Sequence, residues 1–159
     1  MNFSITQNGK KLSKRKYNWN KDTKILSTNE NNLVLNFSKY NGVTFNTGHN
    51  CIFDTGYSCT FKTGYGCTFN TGHSCTFNTG DNCTFNTGSS CTFTCREKCV
   101  CIRRDIYEVI EIPENKTIIL NEYEIKGYSF QIQKRKIVIN GKEIEMSEES
   151  YQNLKESLI

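Results

Sequence analysis

The sequence predicts a mainly β protein: a parallel β-solenoid of eight-residue repeats, followed by a small α+β C-terminal cap. Three observations predict it. The units VTFNTGHN, CIFDTGYS, CTFKTGYG, CTFNTGHS, CTFNTGDN and CTFNTGSS follow one another without a gap, so that Cys51, Cys59, Cys67, Cys75, Cys83, Cys91 and Cys99 share one phase. A second ladder, Phe37, Phe45, Phe53, Phe61, Phe69, Phe77, Phe85 and Phe93, runs two places later, and a glycine recurs from Gly48 to Gly88. A short fixed period marks a solenoid, in which no unit buries its own apolar face and stacking supplies the core. Helix is excluded, because this spacing drifts around a 3.6-residue helix and each glycine would cost ~1 kcal/mol.

Residues 1–16 (MNFSITQNGKKLSKRK) are polar and basic apart from an Asn8-Gly9 turn signal, and are expected to form a mobile arm. Residues 17–34 read as an N-terminal cap. Within it Tyr17-Asn18-Trp19 alternates, Thr23 to Thr28 forms a second strand, and Trp19 is expected to cover the open first coil. The solenoid itself is assigned to 35–104, with Leu35 in the cysteine place and Phe37 in the phenylalanine place.

Inside an octad, strand alternation puts Cys, Phe and the second Thr on one side. The predicted core is therefore Phe45, Cys51, Phe53, Cys59, Phe61, Cys67, Phe69, Cys75, Phe77, Cys83, Phe85, Cys91 and Phe93. Thr60, Thr68, Asn70 and Asn78 point outward. The glycines are expected to supply the positive φ of a sharp corner. Two octads per coil give two facing sheets and three give a triangle. The two-sheet form is favoured, because opposed Phe rows interdigitate across a gap of ~10 Å.

The last unit breaks the pattern: Cys95 replaces the inward Thr, Arg96-Glu97-Lys98 replaces the corner, and Cys101 takes the next Phe place. Residues 105–159 are expected to hold strands at Ile106 to Ile112, Thr117 to Leu120 and Tyr128 to Gln133. An Asn140-Gly141 hairpin follows over Lys136 to Met146, then a helix from Glu148 to Leu158 capped by Ser147. Tyr151, Leu154 and Leu158 share one face of that helix.

The C-T-F-N-T core of each unit resembles the repeat of pentapeptide-repeat β-solenoids, with a central Phe, a small residue two places earlier and polar residues outward. The resemblance spans about Leu35 to Cys101 and implies a parallel solenoid, but three extra residues per unit depart from that family's four-sided coil. The octad array with its α+β tail also looks like repeat proteins of tailed phages and large DNA viruses. DNA mimicry, known in the pentapeptide family, needs an acidic surface, whereas here only Asp54, Lys62 and Asp81 are charged between Val43 and Ser90.

Charge is uneven along the chain. Of the net +4, residues 1–24 carry seven Lys and Arg against Asp22, while the segment from Asp105 has eleven carboxylates against seven cations. Lys10, Lys11, Lys14, Arg15 and Lys16 with Tyr17 and Trp19 are thus the candidate nucleic-acid or polyanion contacts. Of the nine cysteines seven share one register, and all are read as reduced core residues, free thiol being a small hydrophobe. Cys91, Cys95, Cys99 and Cys101 are weak metal candidates, since no paired C-x-x-C spacing is present. His49 and His73 read as corner residues beside Tyr57 and Tyr65.

No nucleophile triad, phosphate loop or dinucleotide fingerprint appears, so neither an enzyme nor a cofactor is expected. No apolar run spans a membrane and no signal segment is recognised, which gives a cytoplasmic or virion-associated location by default. The leading expectation is a non-enzymatic structural or protein-interaction module with a protein partner or self-association. The alternative is a polyanion-binding adaptor, with ice binding by the outward Thr60, Thr68, Thr76, Thr84 and Thr92 as a minor one.

Overall fold

The computed structural model describes residues 3–132, 134–139 and 141–157. They fall into two compact units, residues 1–129 and 130–159. In chain order the strands are β1 (Ser4–Gln7), β2 (Lys10–Lys11), β3 (Asn18–Asn20), β4 (Ile25–Ser27), β5 (Leu33–Phe37), β6 (Thr44–Asn46), β7 (Ile52–Thr55), β8 (Thr60–Lys62), β9 (Thr68–Asn70), β10 (Thr76–Asn78), β11 (Thr84–Thr87), β12 (Thr92–Thr94), β13 (Val100–Arg103), β14 (Glu108–Glu111), β15 (Thr117–Leu120), β16 (Tyr128–Phe130), β17 (Lys134–Ile139) and β18 (Lys142–Ser147), followed by the helix α1 (Glu148–Ser157).

The first unit is a two-sheet parallel β-solenoid of about five turns. One sheet runs β14-β13-β11-β9-β7-β5-β1-β2 and the other β16-β15-β12-β10-β8-β6-β4-β3. Successive octads therefore alternate between sheets, and two of them close one coil. Equivalent residues sixteen apart pair in register: Phe77 lies beside Phe61 and Phe93, and Phe69 beside Phe53 and Phe85. At both ends the parallel order stops, because β1 pairs antiparallel to β5, β14 to β13 and β15 to β12.

The core explains why phenylalanine holds its place. Within one sheet Phe45, Phe61, Phe77 and Phe93 stack nearly parallel, with centroids 5.1, 5.0 and 4.8 Å apart. Across the sheets each ring meets the opposite row edge-on, as Phe61 meets Phe69 at 5.0 Å and 72°. Both are favoured quadrupole geometries, each worth about 0.5–1.5 kcal/mol beyond area burial. All thirteen predicted core residues are buried.

Three expectations are corrected. The basic arm over 1–16 is part of the sheet where it is described: β1 and β2 form a hairpin whose turn residues Asn8 and Gly9 both have positive φ (51° and 74°). Ile5 and Leu12 are buried on the inward parity, a pattern masked by the surrounding lysines. Next, Leu35 lies beside Phe53 and Phe37 beside Thr55, so Leu35 holds the phenylalanine place and Phe37 the threonine place. The intervening corner, residues 38–42, is two residues longer than an octad corner, so constant spacing carried across it misassigns the phase by two.

The third correction concerns the corner glycines. Positive φ falls instead on the last residue of each corner: Asn50, Ser58, Gly66, Ser74, Asn82, Ser90 and Lys98. The glycines serve close approach. A Cβ on Gly48 would lie 2.0 Å from Asn31 Oδ1, and one on Gly64 would lie 1.8 Å from His49 Nδ1.

Beyond the array, β15 matches the expected Thr117–Leu120, β14 is shorter than expected because residues 104–107 turn, and β16 ends at Phe130. In the second unit β17 and β18 pair antiparallel, with Ile137 opposite Ile144. Ser147 Oγ accepts from Ser150 N–H at 3.1 Å and so caps α1, which lies against both strands. Arg135 bridges hairpin and helix, 3.0 Å from Glu148 and 4.3 Å above the Tyr151 ring. Gln133, Asn140 and Leu158, which belonged to the expected strand, turn and helix face, lie outside the described residues.

Candidate functional site

Seven of the nine cysteines form two buried ladders, Cys51, Cys67, Cys83 and Cys99 along one sheet and Cys59, Cys75 and Cys91 along the other, and none of the nine is disulfide-bonded. Their sulfurs answer a backbone problem created by the corner. The N–H of Cys51 donates to Cys67 Sγ at 3.5 Å, and those of Cys59, Cys75 and Cys83 donate to Cys75, Cys91 and Cys99 Sγ at 3.4 Å each. Each thiol in turn donates backward to a corner carbonyl, as Cys59 does to Tyr57 O at 3.6 Å. Valine would fill the space and leave that buried N–H unpaired, whereas a thiol fills it and bonds.

The four weak metal candidates occupy different places. Cys91 belongs to the ladder of the second sheet and Cys99 to that of the first, Cys95 replaces an inward threonine, and Cys101 lies beside Phe85. Burial pushes the Cys101 thiol up to about 11. The thiols of Cys83 and Cys95, together with burial, push Cys99 upward as well. Among the described residues no three His, Cys, Asp or Glu side chains gather as a metal-ligand group.

On the corners, one coil's side chain receives the next coil's backbone. Asn31 Oδ1 accepts from His49 N–H at 2.7 Å, Asn41 Oδ1 from Tyr57 N–H at 3.1 Å, and His49 Nδ1 from Tyr65 N–H at 3.3 Å. The rings of His49 and Tyr65 stack at 4.2 Å, and those of Tyr57 and His73 at 5.1 Å. Both histidines are thus partnered with a tyrosine of an adjacent coil. The outward threonines divide between faces, Thr60, Thr76 and Thr92 on one sheet and Thr68 and Thr84 on the other, so they do not make a single row.

The basic candidates gather at one end. Lys10 and Lys11 form β2, while Lys14, Arg15 and Lys16 make a 3-10 turn capped by Ser13, and all five are exposed. Lys16 pairs with Glu30 at 3.2 Å. Tyr17 and Trp19 are half-buried against the core. Trp19 meets Phe3, Phe37 and Tyr40 edge-on at 5.4, 5.6 and 6.0 Å, and Phe3 stacks on Phe37 at 4.3 Å. The lysines therefore face solvent while the aromatic rings close the coil.

Sequence reasoning missed Arg103. It pairs with Thr87, so its side chain enters the threonine column and is wholly buried. There Nη2 reaches Asp105 Oδ2 at 2.6 Å, Nε reaches Asp105 Oδ1 at 3.2 Å, and the guanidinium also donates to the carbonyls of Ile125 and Glu122 at 2.5 and 3.1 Å. Glu108 adds a second carboxylate at 3.7 Å. Burial opposes ionisation of Asp105, but the Arg103 hydrogen bond and charge outweigh it and hold that carboxyl below its ordinary value. The signal was present, since Arg103 stands sixteen residues after Thr87.

Comparison of the chain with protein-family models, curated proteins and solved structures returned no match. Among the described residues no helix is long and apolar enough to cross a membrane.

Proposed function

We propose that the chain is a non-enzymatic structural and protein-interaction module, a rigid β-solenoid rod that spaces or docks other elements. The observation that supports this most is the use made of its reactive side chains. The cysteines of the two ladders are spent as hydrogen-bonded rungs of the core, and the corner histidines as stacking partners of the next coil. Interlocking ladders of this kind give stiffness, because each repeat is held by both neighbours. Association with a virus or phage particle belongs to the same proposal and rests on the likeness of the octad array.

The second reading is a polyanion-binding adaptor, favoured by the exposed Lys10, Lys11, Lys14 and Arg15 at one end of the rod. Phosphate contacts of that kind weaken steeply with salt. Titration of the chain with fluorescently labelled single-stranded DNA at low salt decides between them. The rod reading expects no saturable binding; salt-sensitive binding lost on combined Lys10→Glu, Lys11→Glu and Lys14→Glu substitution would replace it with the adaptor.

A further inference from the structure

The sheet containing β5 and β13 has one open edge at each end of the array, β2 at the N-terminal end and β14 at the other. Open edges present unpaired backbone groups that accept another strand, and edge charges determine which strand is admitted. Reading the register across this sheet gives an outward column that begins at Lys11 and passes through Thr6, Val34, Ile52, Thr68, Thr84 and Val100 to Glu111. The inward column beside it ends on Ile110 at one edge and continues through Ile5 to Leu12 at the other.

We infer that this edge pair joins copies of the chain head to tail, β2 of one adding to β14 of the next. The inference rests on the structural role proposed above and names the partner as a second copy. Strand direction permits it: β2 runs parallel to β5, and β14 antiparallel to β13, so the two edges of successive copies meet as an antiparallel pair.

One register satisfies side-chain parity and charge together. It places Lys11 opposite Glu111 on the outer face and Leu12 opposite Ile110 on the inner face. Leu12 and Ile110, 5% and 6% exposed in the single chain, would then continue the ladder without a break. The alternatives are repelled, since a head-to-head contact opposes lysines and a tail-to-tail contact opposes glutamates. Because donor and acceptor edges differ, the contact is heterologous and does not close after two copies.

Sedimentation velocity of the full chain over a range of concentrations tests this. The mass should rise with concentration beyond two copies at low salt and fall when salt screens the Lys11–Glu111 pair. Lys11→Glu alone and Glu111→Lys alone should each weaken association at least about tenfold, through like charges across the joint. Mixing these two variants, or combining both substitutions in one chain, should restore it. Both positions are exposed, and unchanged circular dichroism verifies folding. A chain that stays monomeric, an assembly that stops at two copies, indifference to either reversal, or no rescue on mixing would each overturn the joint. The rod reading would survive such a result, because the DNA titration tests it separately.

Discussion

One column of the solenoid, the inward place that threonine holds in the repeats, is closed differently at its two ends. It starts at Phe37, runs through Thr55, Thr71 and Thr87, and stops at Arg103. At the start Phe37 is roofed by Phe3, Trp19 and Tyr40, an apolar plug of four rings. At the finish Arg103 is gripped by Asp105, Glu108 and two carbonyls. The same cross-section accepts oil at one end and a hydrogen-bonded charge at the other. The difference lies in what each tolerates: an aromatic plug loses stability in proportion to its lost contacts, whereas a buried ion pair fails when one partner is removed.

The largest expected effect tests the aromatic end. Phe37→Ala removes a wholly buried ring and should cost about 3–5 kcal/mol in urea unfolding, since the neighbouring rings refill the cavity only in part. Arg103→Ala should cost about 3 kcal/mol or more, as it strands Asp105 without a counter-charge. The decisive variant is the pair Arg103→Met with Asp105→Asn, expected to recover most of that loss. If it is as unstable as Arg103→Ala, the ion pair is not what distinguishes this end.

Acid sharpens the contrast. Asp105 has a folded-state pKa below its unfolded value, so its stabilisation is complete above the unfolded carboxylate value and is lost as pH falls through the folded one. As the pH falls below the ordinary carboxylate value, hydrogen-exchange protection should therefore be lost at β13 and β14 before it is lost at β5. The reverse order would contradict the assignment.

A smaller effect belongs to the corners between the ends. Gly64→Ala forces the His49 ring away and breaks its bond from Tyr65 N–H, for about 1–2 kcal/mol. Adding His49→Ala should make the two changes less than additive, because the clash has then gone. The smallest effect is expected from inserting one extra coil, a second copy of residues 68–83. The melting temperature should hold or rise, and both ends should keep the sensitivities above, because repeats contribute by nearest-neighbour contact.

The repeat made the inner ladders legible, since a strict eight-residue phase combined with strand alternation leaves only one set of residues facing inward. Whether two or three octads close a coil was less legible, because that depends on how wide the corner turns. Carrying the phase across residues 38–42 failed, as corner length is set by local turn chemistry that polar residues do not fix. The hairpin over 4–11 was hidden because exposed lysines dominate its composition while only Ile5 and Leu12 carry its burial. The corner glycines were recognised for the wrong reason. Their need comes from the preceding coil, fifteen residues earlier in the case of His49 beside Gly64, and only a known coil length brings such partners together. Arg103 escaped notice because a cation at an inward place becomes sensible only once Asp105 and the carbonyls of Glu122 and Ile125 fold over it.

The plug at the N-terminal end holds the protein's single tryptophan, and this gives the molecule a built-in optical gauge. Trp19 emission reports the environment of the first coil alone, while circular dichroism averages over every strand. A chain that frays from its head should show a red shift of emission ahead of the loss of ellipticity. One that opens from its tail should hold its emission until the last coil melts. Two spectrometers and one heating ramp can thus show from which end the stack comes apart.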